Sequence, residues 1–188
     1  MPKPALLIID VQKGFDNQIH WGGNRNNPDA EKKIVAILEH WRTKKQPVFH
    51  ILHSSLELGS PLHISQPGFV MKDEIQPQEG EPILIKNVNS AFIGTDLKER
   101  LDSSGIKEVV IVGLTTNHCV STTARMAGNY GYIVTLISDA TATFDRKGLN
   151  GETFDAETIH QTALASLYEE FAQIKDTNGL LAKEDETV

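Results

Sequence analysis

Five short runs rich in Ile and Val recur along the chain: Ala5–Ile9, Val48–Leu52, Ile83–Ile85, Val109–Val112 and Ile133–Ile137. Longer amphipathic stretches separate them, and this alternation constrains the fold more than any other feature. Each run is apolar on both alternating faces of an extended chain, the pattern of a parallel strand covered on both sides. The stretches between them repeat at helical spacing. Asn27-Pro28-Asp29 opens one with Ile34, Ile37, Leu38 and Trp41 on a single face. Thr95 is a candidate cap for a second, through Leu97 and Leu101 to Gly105. A third begins near Cys119 and aligns Val120, Ala124, Ala127 and Gly131, and Asp155 starts a fourth with Ile159, Ala163, Leu167 and Phe171.

Strand and helix in strict alternation imply right-handed crossovers and a parallel sheet between two helical layers, a three-layer α/β/α sandwich of Rossmann-like type. A last short strand is expected at 172–175. The segment from Ser54 to Gln78 has no strong periodicity and carries Gly59, Pro61, Pro67, Gly68 and Pro77. A long irregular loop in a compact domain is commonly functional. The 188 residues fit one domain spanning 1–188, with the polar end from Lys183 to Val188 expected to fray.

A hydrophobic share of 39% with 23% charged residues describes a folded chain, and a net charge of −7 offers no basic face for nucleic acid. The basic pairs Lys32–Lys33 and Lys44–Lys45 read as solvated helix surface. No apolar run approaches a membrane span, and the N-terminal apolar stretch ends in Asp10 without a small-residue cleavage site, as a first buried strand does. A single cysteine permits no internal disulfide, so a reducing cytoplasm is the expected compartment.

Ligands of such sheets bind beyond the carboxyl ends of the strands. There three runs, expected to be neighbouring strands, end in Asp10, in Lys86 and, through Leu114-Thr115-Thr116-Asn117-His118, in Cys119. A free cysteine is commonly a small core residue, and a strand-end Asp or Lys is commonly a solvated one. Together they form a coherent set. A helix start favours thiolate, a carboxylate takes the thiol proton, an ammonium stabilises the resulting charges, and backbone N–H groups hold an oxyanion.

The stretches LLIIDVQKGF, LIKNVNSAFIGTDL and VGLTTNHCVSTTARMAGNYGY, in this order and spacing, resemble the isochorismatase-like cysteine hydrolases over nearly the whole chain. The resemblance implies a six-stranded parallel sheet, a catalytic triad of Asp10, Lys86 and Cys119, and a cis peptide at Leu114–Thr115. It also implies an oxyanion hole formed by the backbone N–H groups of Thr115 and Cys119. True isochorismatases cleave a vinyl ether and lack the cysteine, so the resemblance points to amide hydrolysis. GSPLHISQPGF with NSAFIGTDL is most similar to the streptothricin hydrolase branch, whose members open cyclic or simple amides.

Nicotinamidases, the alternative within the family, carry an Asp-x-His pair after the second strand and a later His as a metal site. Here HILHSSLELGSPLH supplies His50, His53 and His63 without the aspartate, so neither a metal nor another cofactor is expected. Around the triad, Phe15 and Phe92 are candidates for an apolar pocket wall or for the core, and Gln12 and Asn89 for orienting a substrate carbonyl or for capping loops. His118 and His53 are candidates for lining the cleft, with Trp21 in a possible lid; His160 reads as structural. The expected partner is a small-molecule amide, and the resemblance implies a homo-oligomer, dimer or tetramer. A reading from another class is a thiol-bearing binding or redox-sensing protein. It requires neither Asp10 nor Lys86, and the chain has no resolving cysteine.

Overall fold

The computed structural model of the protein describes residues 3–185. Six parallel strands form one sheet: β1 (Ala5–Ile9), β2 (Val48–His53), β3 (Ile83–Lys86), β4 (Glu108–Leu114), β5 (Ile133–Ala142) and, after a small hairpin, β8 (Gln173–Lys175). Their order is β3-β2-β1-β4-β5-β8, so the direction of winding reverses between β1 and β4. The hairpin pairs β6 (Arg146–Lys147) with β7 (Thr153–Phe154).

Alternate residues of β1 serve the two layers. Leu6 and Ile8 pack with Ile34, Ile37, Leu38 and Trp41 of α2 (Ala30–Thr43) and with Leu180 of α6 (Thr177–Asp185). Leu7 and Ile9 pack with residues from the opposite side: Leu97 and Leu101 of α3 (Leu97–Ser103), Ala124 and Ala127 of α4 (Ser121–Asn129), and Leu164 of α5 (Ala156–Ala165). All the named core side chains are buried, and removing such area from water is the main favourable contribution to the fold.

The structure departs from the sequence pattern in several places. Strand β3 is an edge strand, and Ile83 and Ile85 are each 45% exposed rather than covered on both faces. Strand β5 continues past Ile137 through Ser138 and Asp139, whose polarity masks it, and its register against β4 shifts between Ile111 and Gly113. Asp96, not Thr95, occupies the N-cap position of α3, although the Thr95 hydroxyl still accepts from Leu97 N–H at 3.4 Å.

In α5 the buried stripe is Ala156, His160 and Leu164; Ile159 and Ala163 are only half-buried, and Leu167 and Phe171 lie beyond the helix end. Gly131 likewise follows α4. Short helix α1 (Gln18–Trp21), the β6–β7 hairpin and α6 have no counterpart in the apolar pattern. Helix α6 continues to Asp185, and 186–188, the rest of the end expected to fray, lie outside the described residues. Among the described residues no helix is long and apolar enough to cross a membrane.

Candidate active site

The reversal of winding between β1 and β4 opens a crevice at their carboxyl ends, the usual ligand position in such sheets. Asp10 directly follows β1 and adopts a left-handed φ of +51°, uncommon for a residue other than glycine and worth roughly 1 kcal/mol or more of strain. Its N–H donates to Ile51 O of β2 at 2.9 Å, holding the turn. Opposite, Gly113 of β4 has φ +119°, and a Cβ there would lie 2.0 Å from Ile9 O. Only glycine lets the two strands approach this closely.

Lys86, the last residue of β3, and Asp10 are both fully buried, and Lys86 Nζ donates to Asp10 Oδ2 at 2.7 Å. Strand β3 is not β1's neighbour, contrary to the expectation of three adjacent strand ends; β2 lies between them. The long lysine side chain crosses the end of β2, where its Nζ also lies 3.2 Å from His53 Nδ1. Burial lowers the His53 pKa, and the Lys86 charge lowers it further against the pull of Asp10, which leaves a neutral imidazole to face the ammonium. Asp10 Oδ1 is buried without a hydrogen-bond partner among the described residues.

Cys119 lies in a π-helical turn, Thr116–Val120, and not at the helix start itself. The turn is pinned from outside: Thr116 Oγ1 meets His160 Nδ1 at 2.9 Å, and Thr143 Oγ1 donates to Asn117 Oδ1 at 2.5 Å. His160 is thereby a support for this turn. The Leu114–Thr115 peptide that leads into it is cis. Cys119 Sγ is close to Asn89 Oδ1, at 3.8 Å, and donor atoms of Asp10, His53 and Cys119 all lie within 4.8 Å of one another. Burial pushes the thiol pKa up, the Asp10 carboxylate pushes it further, and Lys86 only partly opposes them. This direction runs against the stabilisation of a thiolate expected from a helix start.

A cavity of ≈ 260 Å³ opens above these groups. Asp10, Thr115 and Cys119 line it, together with Asn89, His53 and His118. Phe15 contributes to the wall and packs against Trp21 of α1 at 4.7 Å between ring centroids. The loop after β2 adds Ser55, Ser60 and Leu62, and the hairpin adds Arg146, none of which the sequence pattern singled out.

Two expected pocket residues lie elsewhere. Gln12 is fully buried and committed to backbone: its amide donates to His53 O at 3.0 Å and Phe69 O at 2.7 Å and its Oε1 accepts from His53 N–H at 2.9 Å. Phe92 is buried in the core against Tyr130 and Tyr132, with ring centroids 5.4 and 6.0 Å away.

The three histidines considered for a metal do not converge. His50 Nε2 pairs with Glu81 at 2.9 Å, His63 Nδ1 with Ser65 Oγ at 2.7 Å, and His53 faces Lys86. The cluster of Asp10, His53 and Cys119 is also a poor cation site, because the Lys86 ammonium already contacts both Asp10 and His53.

A family model, the isochorismatase domain, matches residues 4–179. The uncharacterized isochorismatase family protein YrdC of Bacillus subtilis is 50% identical over 95% of this chain and 95% of its own. Nicotinamidase 3 of Arabidopsis thaliana is 39% identical over 94% of this chain and 86% of its own, and streptothricin hydrolase of Streptomyces noursei 30% identical over 75% and 50%. Similarity to the nicotinamidase is thus higher than to the branch that the sequence motifs favoured. A crystal structure of an isochorismatase-family protein from Chromobacterium violaceum superposes with a TM-score of 0.91 at 39% identity, covering 96% of this chain and 92% of that one. The match spans the sheet and every element that positions Asp10, Lys86 and Cys119, and the chain belongs to the isochorismatase family of hydrolases.

Proposed function

We propose that the protein is a cysteine amidohydrolase that cleaves a non-peptide C–N bond of a small molecule, with Cys119 as nucleophile, Asp10 as general base and acid, and Lys86 as electrostatic support. The observation that carries this reading is the meeting of the buried Asp10–Lys86 pair with Cys119 beside one cavity, which Asp10 and Cys119 both line. A thiol whose pKa is pushed up by burial needs a base beside it, and Asp10 is that base.

The substrate carbonyl enters over Cys119. Asp10 takes the thiol proton as sulfur bonds to the carbonyl carbon, and the resulting oxyanion accepts hydrogen bonds from the backbone N–H groups of Thr115 and Cys119. Asp10 returns the proton to the nitrogen, the C–N bond breaks, and ammonia or an amine leaves a thioester. Asp10 then deprotonates a water that attacks the thioester, and its proton passes back to the departing thiolate. The net reaction is amide plus water to carboxylic acid plus amine. Throughout, Lys86 holds Asp10 Oδ2, which leaves the unpartnered Oδ1 to exchange protons. Asn89 Oδ1 orients the thiol, and His53 and Phe15 bound the cavity.

A nicotinamidase-type amidase is the second reading, favoured by the 39% identity to nicotinamidase 3 and by the Phe15–Trp21 wall, which suits a flat ring. The exposed Ile83 and Ile85 on the sheet edge, with Val88 and Ile93 nearby in sequence, support assembly as a homo-oligomer, dimer or tetramer. A lone reactive thiol suits the reducing cytoplasm.

The test is ammonia or amine release from a panel containing nicotinamide, linear primary amides and lactams. We expect hydrolysis of at least one class, with Cys119→Ala and Asp10→Asn slower by about 10³-fold or more. Turnover unchanged in either variant would exclude the triad, and no release from any amide would leave the non-hydrolytic thiol protein as the better reading.

A further inference from the structure

Arg146, on the short strand β6, lines the same cavity as Cys119 and has no part in the steps above. Its side chain is half-buried and its Nε is buried without a hydrogen-bond partner. No carboxylate lies within ion-pairing distance of it among the described residues, and its hydrogen-bonding contact is from Nη2 to His118 Nδ1 at 3.3 Å. Burial and then the Arg146 charge lower the His118 pKa, so the imidazole is neutral and Nδ1 accepts.

Two of the other half-buried guanidiniums are held by carboxylates, and the third, Arg125, lies over the Phe171 ring, 4.7 Å from its centroid. Arg25 is held by both oxygens of Glu31, at 2.9 and 2.7 Å, and Arg42 by both oxygens of Glu81, at 2.8 Å each. The carboxylate next to Arg146 in sequence is committed elsewhere: Asp145 Oδ1 accepts from Asn24 Nδ2 at 3.1 Å and from Ala156 N–H at 2.7 Å. Of the other acids in the cavity, Asp10 is neutralised by Lys86 and Glu57 is exposed. A guanidinium fork in a partly desolvated cavity without a carboxylate of its own is a site for a planar anion.

We propose that Arg146 is a specificity residue that receives a carboxylate on the substrate, so that the preferred substrates are small amides bearing a carboxylate away from the scissile bond. The proposal rests on the amidohydrolase reading for the amide and on the cavity alone for the carboxylate. His118, adjacent to Cys119 in sequence and bonded to Arg146, fixes the anion site relative to the reacting carbon.

Succinamate and butyramide test it, since they share the amide and chain length and differ in the terminal carboxylate. Wild-type enzyme is expected to favour succinamate by about 10–100-fold in kcat/KM. Arg146→Gln should bring the two within about threefold, and Arg146→Lys, which keeps the charge without the fork, should be intermediate. Butyramide hydrolysed as well as succinamate by the wild type, or a preference retained in Arg146→Gln, would overturn the proposal and leave the hydrolase intact. If neither amide is turned over, titration of succinate into Cys119→Ala decides. Binding weakened about tenfold or more by adding Arg146→Gln supports the anion site even as the hydrolase reading falls, and absent or unchanged binding overturns it.

Discussion

Lys86 Nζ lies 2.7 Å from Asp10 Oδ2 with both side chains sealed from solvent, although the two residues end strands separated by a third. A buried pair of this kind is costly to break from one side, because the remaining charge has no compensation. Asp10→Asn and Lys86→Met are each expected to destabilise by about 3–5 kcal/mol. The double variant should recover most of that loss, since it buries no charge. Urea denaturation of the three variants measures this; losses that simply add would show that the two groups are not coupled.

Cys119 is expected to alkylate slowly at neutral pH. Burial and the Asp10 carboxylate raise its pKa, so the thiolate fraction is small until pH exceeds the ordinary thiol range. The iodoacetamide rate should rise with pH through 9 and beyond without an earlier plateau. In Asp10→Asn, which removes a raising influence, the profile should move to lower pH. A plateau near pH 7 in the wild type would mean that a thiolate exists at rest.

Acid should destabilise the fold through two carboxylates that do not line the cavity. Burial raises the pKa of Glu31, but Arg25 and Lys72 outweigh it and hold the group at about 2, against an ordinary value of 4.5. Burial likewise raises that of Glu81, outweighed by Arg42, the Gln78 N–H and His50, again to about 2. Between pH 4.5 and 2 the unfolded chain binds more protons than the folded one at both groups. Their contribution is therefore full above about pH 4.5 and is lost as pH falls towards 2. Tm measured across this range should fall less steeply in Glu31→Gln and Glu81→Gln, each starting from a lower value at pH 7. Parallel curves for wild type and variants would contradict the assignment.

Gly113→Ala is expected to cost about 3 kcal/mol or more, because its Cβ would meet Ile9 O at 2.0 Å and its φ of +119° is foreign to L side chains. Denaturation midpoints report the loss. A variant as stable as the wild type would show that β1 and β4 can separate here without penalty.

The chemistry-bearing ends of β1, β3 and β4 were legible in the sequence because each closes an uninterrupted apolar run, as ALLII does before Asp10. Strand order was not legible. Periodicity records which residues are buried but not which strand lies beside which, so Lys86 was expected next to β1 and instead reaches across β2. The alternatives for Gln12 and Phe92 could not be decided for a related reason: proximity to a reactive residue in sequence does not reveal side-chain direction. Gln12 turns inward to backbone partners and Phe92 into an aromatic cluster.

Arg146 was missed because its strand has two residues and no measurable period. The Asn150-Gly151 pair that closes the hairpin was the available signal. His160, read as structural, lies on the buried stripe of α5 with Thr116 beside it, a contact that periodicity does not reveal.

Intact-protein mass spectrometry after rapid acid quench tests the covalent role of Cys119 most directly. With a hydrolysed amide in excess, the wild type should gain the mass of the acyl half of the substrate, mapped to the peptide that contains Cys119 and absent in Cys119→Ala. Sustained turnover by Cys119→Ala with no adduct on either protein would contradict a thioester mechanism.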